Sequence, residues 1–241
     1  MMYTTASKMN LSAIKEKVTK EYKSKLFGKF LQCIDKYTFF NNKRYLIFLH
    51  DNYSLLFFLS LLEARRYIYK DVSFVVYNFT REDISPLLER DDIFKDERKS
   101  YSLKIREKIK KENSELFEVI NDTFDDEIIY IIYNMLFLGK MEALLPYDEK
   151  RKEIRPFILN RDRDINYIVK KEMSSLFKDD NLLYYRIKKR DSSFIKELIS
   201  QLKKENNQVE MNIFNSLFQV IPDKVLSYEK NGEKISFLDL Y

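Results

Sequence analysis

Glycine is scarce in this chain: three of the 241 residues are glycine, namely Gly28, Gly139 and Gly232. That scarcity excludes one familiar device at one particular place. An apolar strand candidate, Tyr45 to Leu49, runs through His50, Asp51, Asn52, Tyr53 and Ser54 into an apolar helix candidate, Leu55 to Leu62. Strand, short turn and helix N-terminus together point backbone N–H groups and the positive end of a helix dipole at an anion. Turns that hold phosphate in this way rely on glycine, because the backbone must approach the ligand closely and some positions need positive φ. None of the three glycines lies in this turn. His50, Asp51, Asn52, Tyr53 and Ser54 are therefore nucleotide-binding candidates in a degenerate loop, where Asp51 repels phosphate and Tyr53 offers no cation.

Other absences narrow the function further. One cysteine, Cys33, excludes an internal disulfide framework and any cysteine-rich zinc or iron–sulfur site built by one chain. Such cysteine usage fits a reducing cytoplasm, and Cys33, on an apolar helical stripe, reads as core. One histidine, His50, excludes a His-pair or His-cluster metal site. The net charge of +5, from 43 basic and 38 acidic residues, is too small and too evenly mixed to demand a polyanionic partner. No apolar run reaches the roughly 20 residues of a spanning helix: Tyr45 to Leu62 is broken by His50, Asp51 and Asn52, and Ile128 to Leu138 is too short. The first residues, with Lys8, Lys15 and Glu16, lack the continuous apolar segment of a signal peptide, so no membrane partner is expected.

What is present is enough apolar residue, 45%, to bury a core. Apolar residues three or four apart predict a helix from Leu11 to Lys36. Val72 to Phe79 reads as a second strand, Thr80 with Asp83 as a capping box before a short helix broken at Pro86, and Arg98 to Asn113 as a surface helix carrying Tyr101, Ile105 and Ile109. Leu116 to Ile120 reads as a third strand, followed by a polar turn, Asn121 to Asp126, and an apolar helix from Glu127 to Leu138. Ile154 to Phe157 is short and extended; Arg161 to Phe177, Phe194 to Lys204 and Val209 to Phe218 read as helices. The alternation predicts an α/β fold, an open, mainly parallel sheet with helices on both faces. Its parts are a helical segment over 1–40, the α/β domain over 41–160 and a helical region over 161–241. Ligands in such sheets sit beyond the carboxyl ends of the strands, here His50 to Ser54, Asn78 to Thr80 and Asn121 to Asp126.

Three further sets of side chains carry chemistry. Asp125 and Asp126 are metal candidates, since carboxylate oxygens suit Mg²⁺, and equally acids that suit a helix start. Arg155 is a phosphate candidate in an extended segment, with a buried ion pair as the other reading. Tyr184, Tyr185, Arg186, Lys188, Lys189 and Arg190 interleave stacking faces with cations, as contacts to unpaired RNA require. The run Lys104, Arg106, Lys108, Lys110 and Lys111 is similar in charge, and charge runs are mostly solvated faces.

Three segments, in order, resemble one family. Asp125 to Lys140, DDEIIYIIYNMLFLGK, is similar to the "DD…NM…GGK" helix of the PP-loop ATP pyrophosphatases that modify tRNA, of the tRNA 2-thiocytidine synthetase and tRNA-Ile-lysidine synthetase type. Ile154 to Ile165, IRPFILNRDRDI, resembles the "IRPL…REKDI" stretch, and Ile213 to Pro222, IFNSLFQVIP, a helix end near the family's C-terminus. The resemblance covers Gly28 to Leu226 and implies a PP-loop, Rossmann-like sheet and ATP-dependent adenylation of a tRNA base followed by sulfur transfer. The departures fall on the chemistry. Where the family carries SGGKDS this chain has His50 to Leu55, Asp122 and Thr123 stand for its paired histidines, Ile129 and Tyr130 for its Glu-Thr, and the cluster's Cys-x-x-Cys pairs would fall near Ser100 to Leu103 and Asn181 to Tyr184, which hold no cysteine. The expectation is a catalytically degenerate homologue, a pseudoenzyme keeping a tRNA-binding or regulatory role in the cytoplasm. It needs no cofactor and holds no iron–sulfur cluster; its partners are tRNA and a second copy of the chain or an intact paralogue. The alternatives are a remodelled enzyme using Asp125 and Asp126 with Mg and ATP, and an interaction scaffold.

Overall fold

The computed structural model describes residues 26–37, 44–50, 52–67, 71–79, 84–88, 91–97, 101–172, 189–217, 227–230 and 233–236. The chain divides into two compact units, Met1–Asp126 with Leu145–Tyr185, and Glu127–Leu144 with Arg186–Tyr241.

The first unit is built on a six-stranded sheet in the order β3-β2-β1-β4-β6-β5. Its members are β1 (Arg44–Leu49), β2 (Ser73–Asn78), β3 (Ile93–Asp96), β4 (Phe117–Val119), β5 (Tyr147–Asp148) and β6 (Glu153–Ile154). All neighbours pair in parallel except β5 with β6, so the sheet is mainly parallel, as expected. β2 is buried along its whole length and β1 at all but its first residue, which is why both read as unbroken apolar runs rather than as alternating ones. The edge strands β3 and β5 escaped the sequence reading. β3 is short and carries Lys95 and Asp96, and β5 has two residues; charge and brevity are how sheet edges avoid further pairing, and they erase the strand signal.

Between β1 and β2 lies α2 (Asn52–Tyr67), preceded in the chain by α1 (Phe27–Lys36). Every residue of α2 from Ser54 to Arg65 is buried, the condition under which a helix can be apolar on all sides. The expected end at Leu62 is overrun because Arg65 is neutralised inside, donating to Asp92 at 2.7 Å, while Asp92 also accepts the Phe74 N–H at 2.8 Å. On α1, Phe30, Cys33 and Ile34 are buried, and Phe157 stacks on Phe30 and meets Phe57 at a tilt.

α3 (Leu103–Glu112) starts at Ser102, whose hydroxyl accepts the Ile105 N–H at 3.4 Å. Tyr101, Ile105 and Ile109 share a face by their four-residue spacing and pack on Leu46, Phe48, Val75 and Tyr77 of the sheet. The helix is therefore half-covered rather than purely superficial. α5 (Asp162–Glu172) buries Ile165, Ile168 and Val169.

α4 (Phe124–Tyr133) begins in the first unit and runs into the second, where it passes into a π-helical turn, Asn134–Leu138. Gly139, at φ 62°, closes that turn in the left-handed region, a conformation glycine adopts without steric cost. The sequence predicted continuous α-helix here. Within the second unit, both carboxylate oxygens of buried Glu127 accept the Leu144 N–H, and α6 (Lys189–Glu205) packs on α7 (Val209–Ser216), joined by Lys203 and Glu210 at 3.0 Å. An antiparallel hairpin of β7 (Ser227–Lys230) and β8 (Glu233–Ser236) follows, unforeseen although Asn231-Gly232 between the strands is the strongest short hairpin signal. Among the described residues no helix is long and apolar enough to cross a membrane.

Candidate functional site

β1 lies between β2 and β4, so the chain winds outward in opposite directions from the β1–β4 boundary. This is the switch point at which open α/β sheets leave a crevice beyond their carboxyl ends. Two turns border it, the one after β1 and the one after β4, and both were expected to carry the site.

The turn after β1 is closed by its own side chains. The His50 N–H donates to Ser54 Oγ at 3.0 Å, with Ser54 buried in the first turn of α2. The His50 ring stacks on Tyr101, centroids 4.2 Å apart and 8° from parallel, in a cluster continued by Phe79 and Phe48. Tyr53 reaches away to α5 and donates to Asn166 Oδ1. Asn52 is the first residue of α2, and Asp51 lies outside the described residues. His50, Tyr53 and Ser54 are thus engaged in packing and in hydrogen bonds to the protein.

The turn after β4 is a capping box. Thr123 precedes α4: its hydroxyl meets the Asp126 N–H at 3.3 Å, and Asp126 Oδ2 reaches back to accept the Thr123 N–H at 2.9 Å. The capping box expected at Thr80 and Asp83 lies outside the described residues, and Thr123-Phe124-Asp125-Asp126 has the same spacing. Asp125 caps a different helix: its Oδ2 accepts the Asp162 N–H at the start of α5 at 2.7 Å, and Arg161 stands 3.5 Å from its other oxygen. The Thr123 hydroxyl lies 2.6 Å from Asp162 Oδ1 and 3.0 Å from Asp126 Oδ2, and its one proton serves one carboxylate at a time. Burial, then the neighbouring charges of Asp162 and Asp122, push the Asp126 pKa well above the usual carboxylate range, against the Thr123 hydrogen bonds. Among the described residues no three His, Cys, Asp or Glu side chains converge in a metal-holding group. The oxygens of Asp125 and Asp126 mostly serve helix starts.

Arg155 is fully buried, and its guanidinium is bound on every side by the protein. Nε donates to Asp122 Oδ2 at 2.8 Å, Nη1 to the Leu145 carbonyl at 2.7 Å, and Nη2 to Glu153. Burial opposes its charge, but Asp122 and Glu153 more than offset that, and its pKa is raised. Of the two readings of Arg155, the geometry is that of the buried ion pair.

Glu153 leads into a network the sequence did not announce. Arg106 on α3 grips Glu118 with two hydrogen bonds, 2.6 and 2.8 Å, and Lys110, one turn on, lies 3.0 Å from Glu118 and 2.8 Å from Glu153. The available signal was Glu118 itself, a charge inside an apolar strand, which requires cations from the covering helix.

Cys33 donates to the Arg155 carbonyl at 3.7 Å, and burial pushes its thiol up to about 12 despite Lys36 and the backbone. A lone thiol held neutral does not fit an iron–sulfur cluster, which takes several thiolates. Of the expected RNA-binding set, Lys189 and Arg190 open α6, whereas Tyr184, Tyr185, Arg186 and Lys188 lie outside the described residues.

No protein-family model matches the chain, and no curated protein matches it in sequence. Among solved structures it is similar to the U34-tRNA thiolase NcsA from Methanococcus maripaludis, solved with its [4Fe-4S] cluster, at TM-score 0.52 and 17% identity over 88% of this chain and 82% of that one. At that identity the likeness establishes a shared α/β fold.

Proposed function

We propose that the chain is a divergent relative of the PP-loop tRNA-thiolating enzymes in which nucleotide chemistry has been lost and a tRNA-binding or regulatory role remains. One observation carries this reading. At the switch point, where an ATP-using member of the fold needs exposed backbone N–H groups, the His50 N–H is taken by Ser54 and the His50 ring is packed on Tyr101. No glycine lies nearby in sequence to let a pyrophosphate approach. The rest of the crevice supports the same reading, since Asp125 and Asp126 cap helices and Arg155 is enclosed by Asp122, Glu153 and Leu145. With these groups engaged, no step through ATP, Mg²⁺ or a cluster follows from the residues present.

Calorimetric titration with Mg·ATP tests the proposal. The expected result is no saturable heat at physiological nucleotide concentration. Binding with a dissociation constant below about 1 mM, or about −4.1 kcal/mol, overturns it in favour of a remodelled enzyme using Asp125 and Asp126.

A further inference from the structure

At the amino ends of β4 and β6, opposite the switch point, the surface of the first unit holds a concavity of about 330 Å³. One wall is the last turn of α3, with Lys110 and Lys111; the other is the loop joining β5 to β6, with Lys150, Arg151 and Lys152. Among the described residues Glu107 is the one acid of the lining, which also includes Leu116.

These cations differ in what already neutralises them. Lys110 is matched by Glu118 and Glu153, and Lys152 by Glu149. Arg151 stands a loose 3.7 Å from Asp148 with its side chain 55% exposed. Lys111 and Lys150 are exposed and form no ion pair among the described residues. The carboxyl end of α3 favours the two lysines of its last turn, but a helix end carries at most about half a charge, leaving a net positive concavity.

The loop is rigidly placed. The Arg151 N–H donates to Asp148 Oδ1 at 2.9 Å, and the Lys152 carbonyl accepts the Glu118 N–H of β4 at 2.8 Å. Lys152 adopts φ 51°, a left-handed backbone that favours glycine or asparagine and costs another residue about 1–2 kcal/mol. A lysine kept there holds a cation at the rim, its ammonium 4.8 Å from the Phe117 ring centre.

We infer that this concavity between the end of α3 and the β5–β6 loop is an anion site for clustered phosphate groups, with Lys111, Lys150 and Arg151 as its principal contacts. Long, exposed side chains on two walls suit several phosphates in succession better than a single enclosed one. Among the described residues no aromatic face lines the concavity for a base to stack on, so recognition is of phosphate and not of sequence. Backbone phosphates of RNA and free polyphosphate share this chemistry.

The test uses the full chain and two probes, inorganic tripolyphosphate and a fluorescein-labelled RNA hairpin, with polyglutamate as the non-phosphate polyanion. Binding is followed by competition and anisotropy over a salt series, for the wild type and for the double variant Lys111→Glu, Lys150→Glu. Both substitutions are at exposed positions, and circular dichroism and melting verify the fold. The expected outcome is saturable binding of at least one phosphate probe, weakened at least about tenfold in the double variant, with the RNA salt slope reduced by about 1.4 to 1.8 for two lost contacts. RNA binding that tripolyphosphate cannot displace identifies backbone phosphates as the source; displacement identifies free phosphate clusters. Unchanged affinity in a folded double variant, equal affinity for polyglutamate, absence of binding by both probes, or loss confined to Arg186→Ala, Lys188→Ala, Lys189→Ala overturns the site. None of these outcomes depends on the Mg·ATP titration, which reads the opposite end of the sheet.

Discussion

Asp126 is a buried carboxylate beside two others. It is buried among Asp122 and Asp162, and its Oδ1 has no hydrogen-bond partner among the described residues. Its folded pKa lies above the unfolded one, so the native state binds the extra proton between those two values. The carboxyl therefore costs nothing below the unfolded pKa, about 3.9, and becomes increasingly unfavourable as pH rises toward the folded value. Asp126→Asn keeps an oxygen to accept the Thr123 N–H and removes the charge. Urea unfolding should show the variant more stable than wild type by at least about 1 kcal/mol at pH 7, with the difference vanishing near pH 3. An equal difference at both pH values would show that the gain is not electrostatic.

At the scale of elements, the contact between α3 and the sheet combines an apolar stripe with a buried ion network. Glu118 in β4 is enclosed, and its partners Arg106 and Lys110 have side chains 18% and 25% exposed. Removing Glu118 takes away both Arg106 hydrogen bonds and leaves Arg106 and Lys110 to share Glu153, whereas replacing a pair with apolar side chains of similar size is tolerated. Glu118→Ala should therefore cost about 3 kcal/mol in urea unfolding, and Glu118→Leu combined with Arg106→Met should recover most of it. Equal losses in the single and double variants would mean that the helix is held by Ile105 and Ile109 alone. The same network explains why the run Lys104 to Lys111 is not uniformly a solvated face: its members alternate between inward pairing at 106 and 110 and outward exposure at 104, 108 and 111.

For the molecule as a whole, the fold shared with a cluster-bearing thiolase is carried by a chain with one cysteine, on the buried face of α1 and hydrogen-bonded to the Arg155 carbonyl. Purified without oxygen, the protein should be colourless. A visible cluster absorbance that scales with protein concentration and disappears in Cys33→Ser would instead demand a cluster shared between chains. The carboxyl ends of the sheet and the cationic concavity at its amino ends are bordered by different loops, so substitutions at one should leave the other unchanged.

Local pattern was enough for the central elements. Tyr45 to Leu49, Val72 to Phe79 and Leu116 to Ile120 locate β1, β2 and β4, because strands covered on both faces are mainly apolar, and α2 and α3 were legible from their apolar run and four-residue spacing, whereas α4 starts at Phe124, ahead of the expected Glu127. The missing glycines of the turn after β1 were also legible, since a composition is an absence no folding can repair. What tertiary structure alone decided depends on neighbours distant in the chain. β3 and β5 are strands only because β2 and β6 offer them hydrogen bonds. Arg155 is an enclosed ion-pair centre because Asp122, Leu145 and Glu153 meet it, and Met135 to Leu138 are about half exposed at a π-helical turn although their composition reads as core. Lys111 and Lys150 face one concavity because parallel pairing of β4 with β6 brings the end of α3 to the β5–β6 loop, a juxtaposition with no trace in the spacing of either segment.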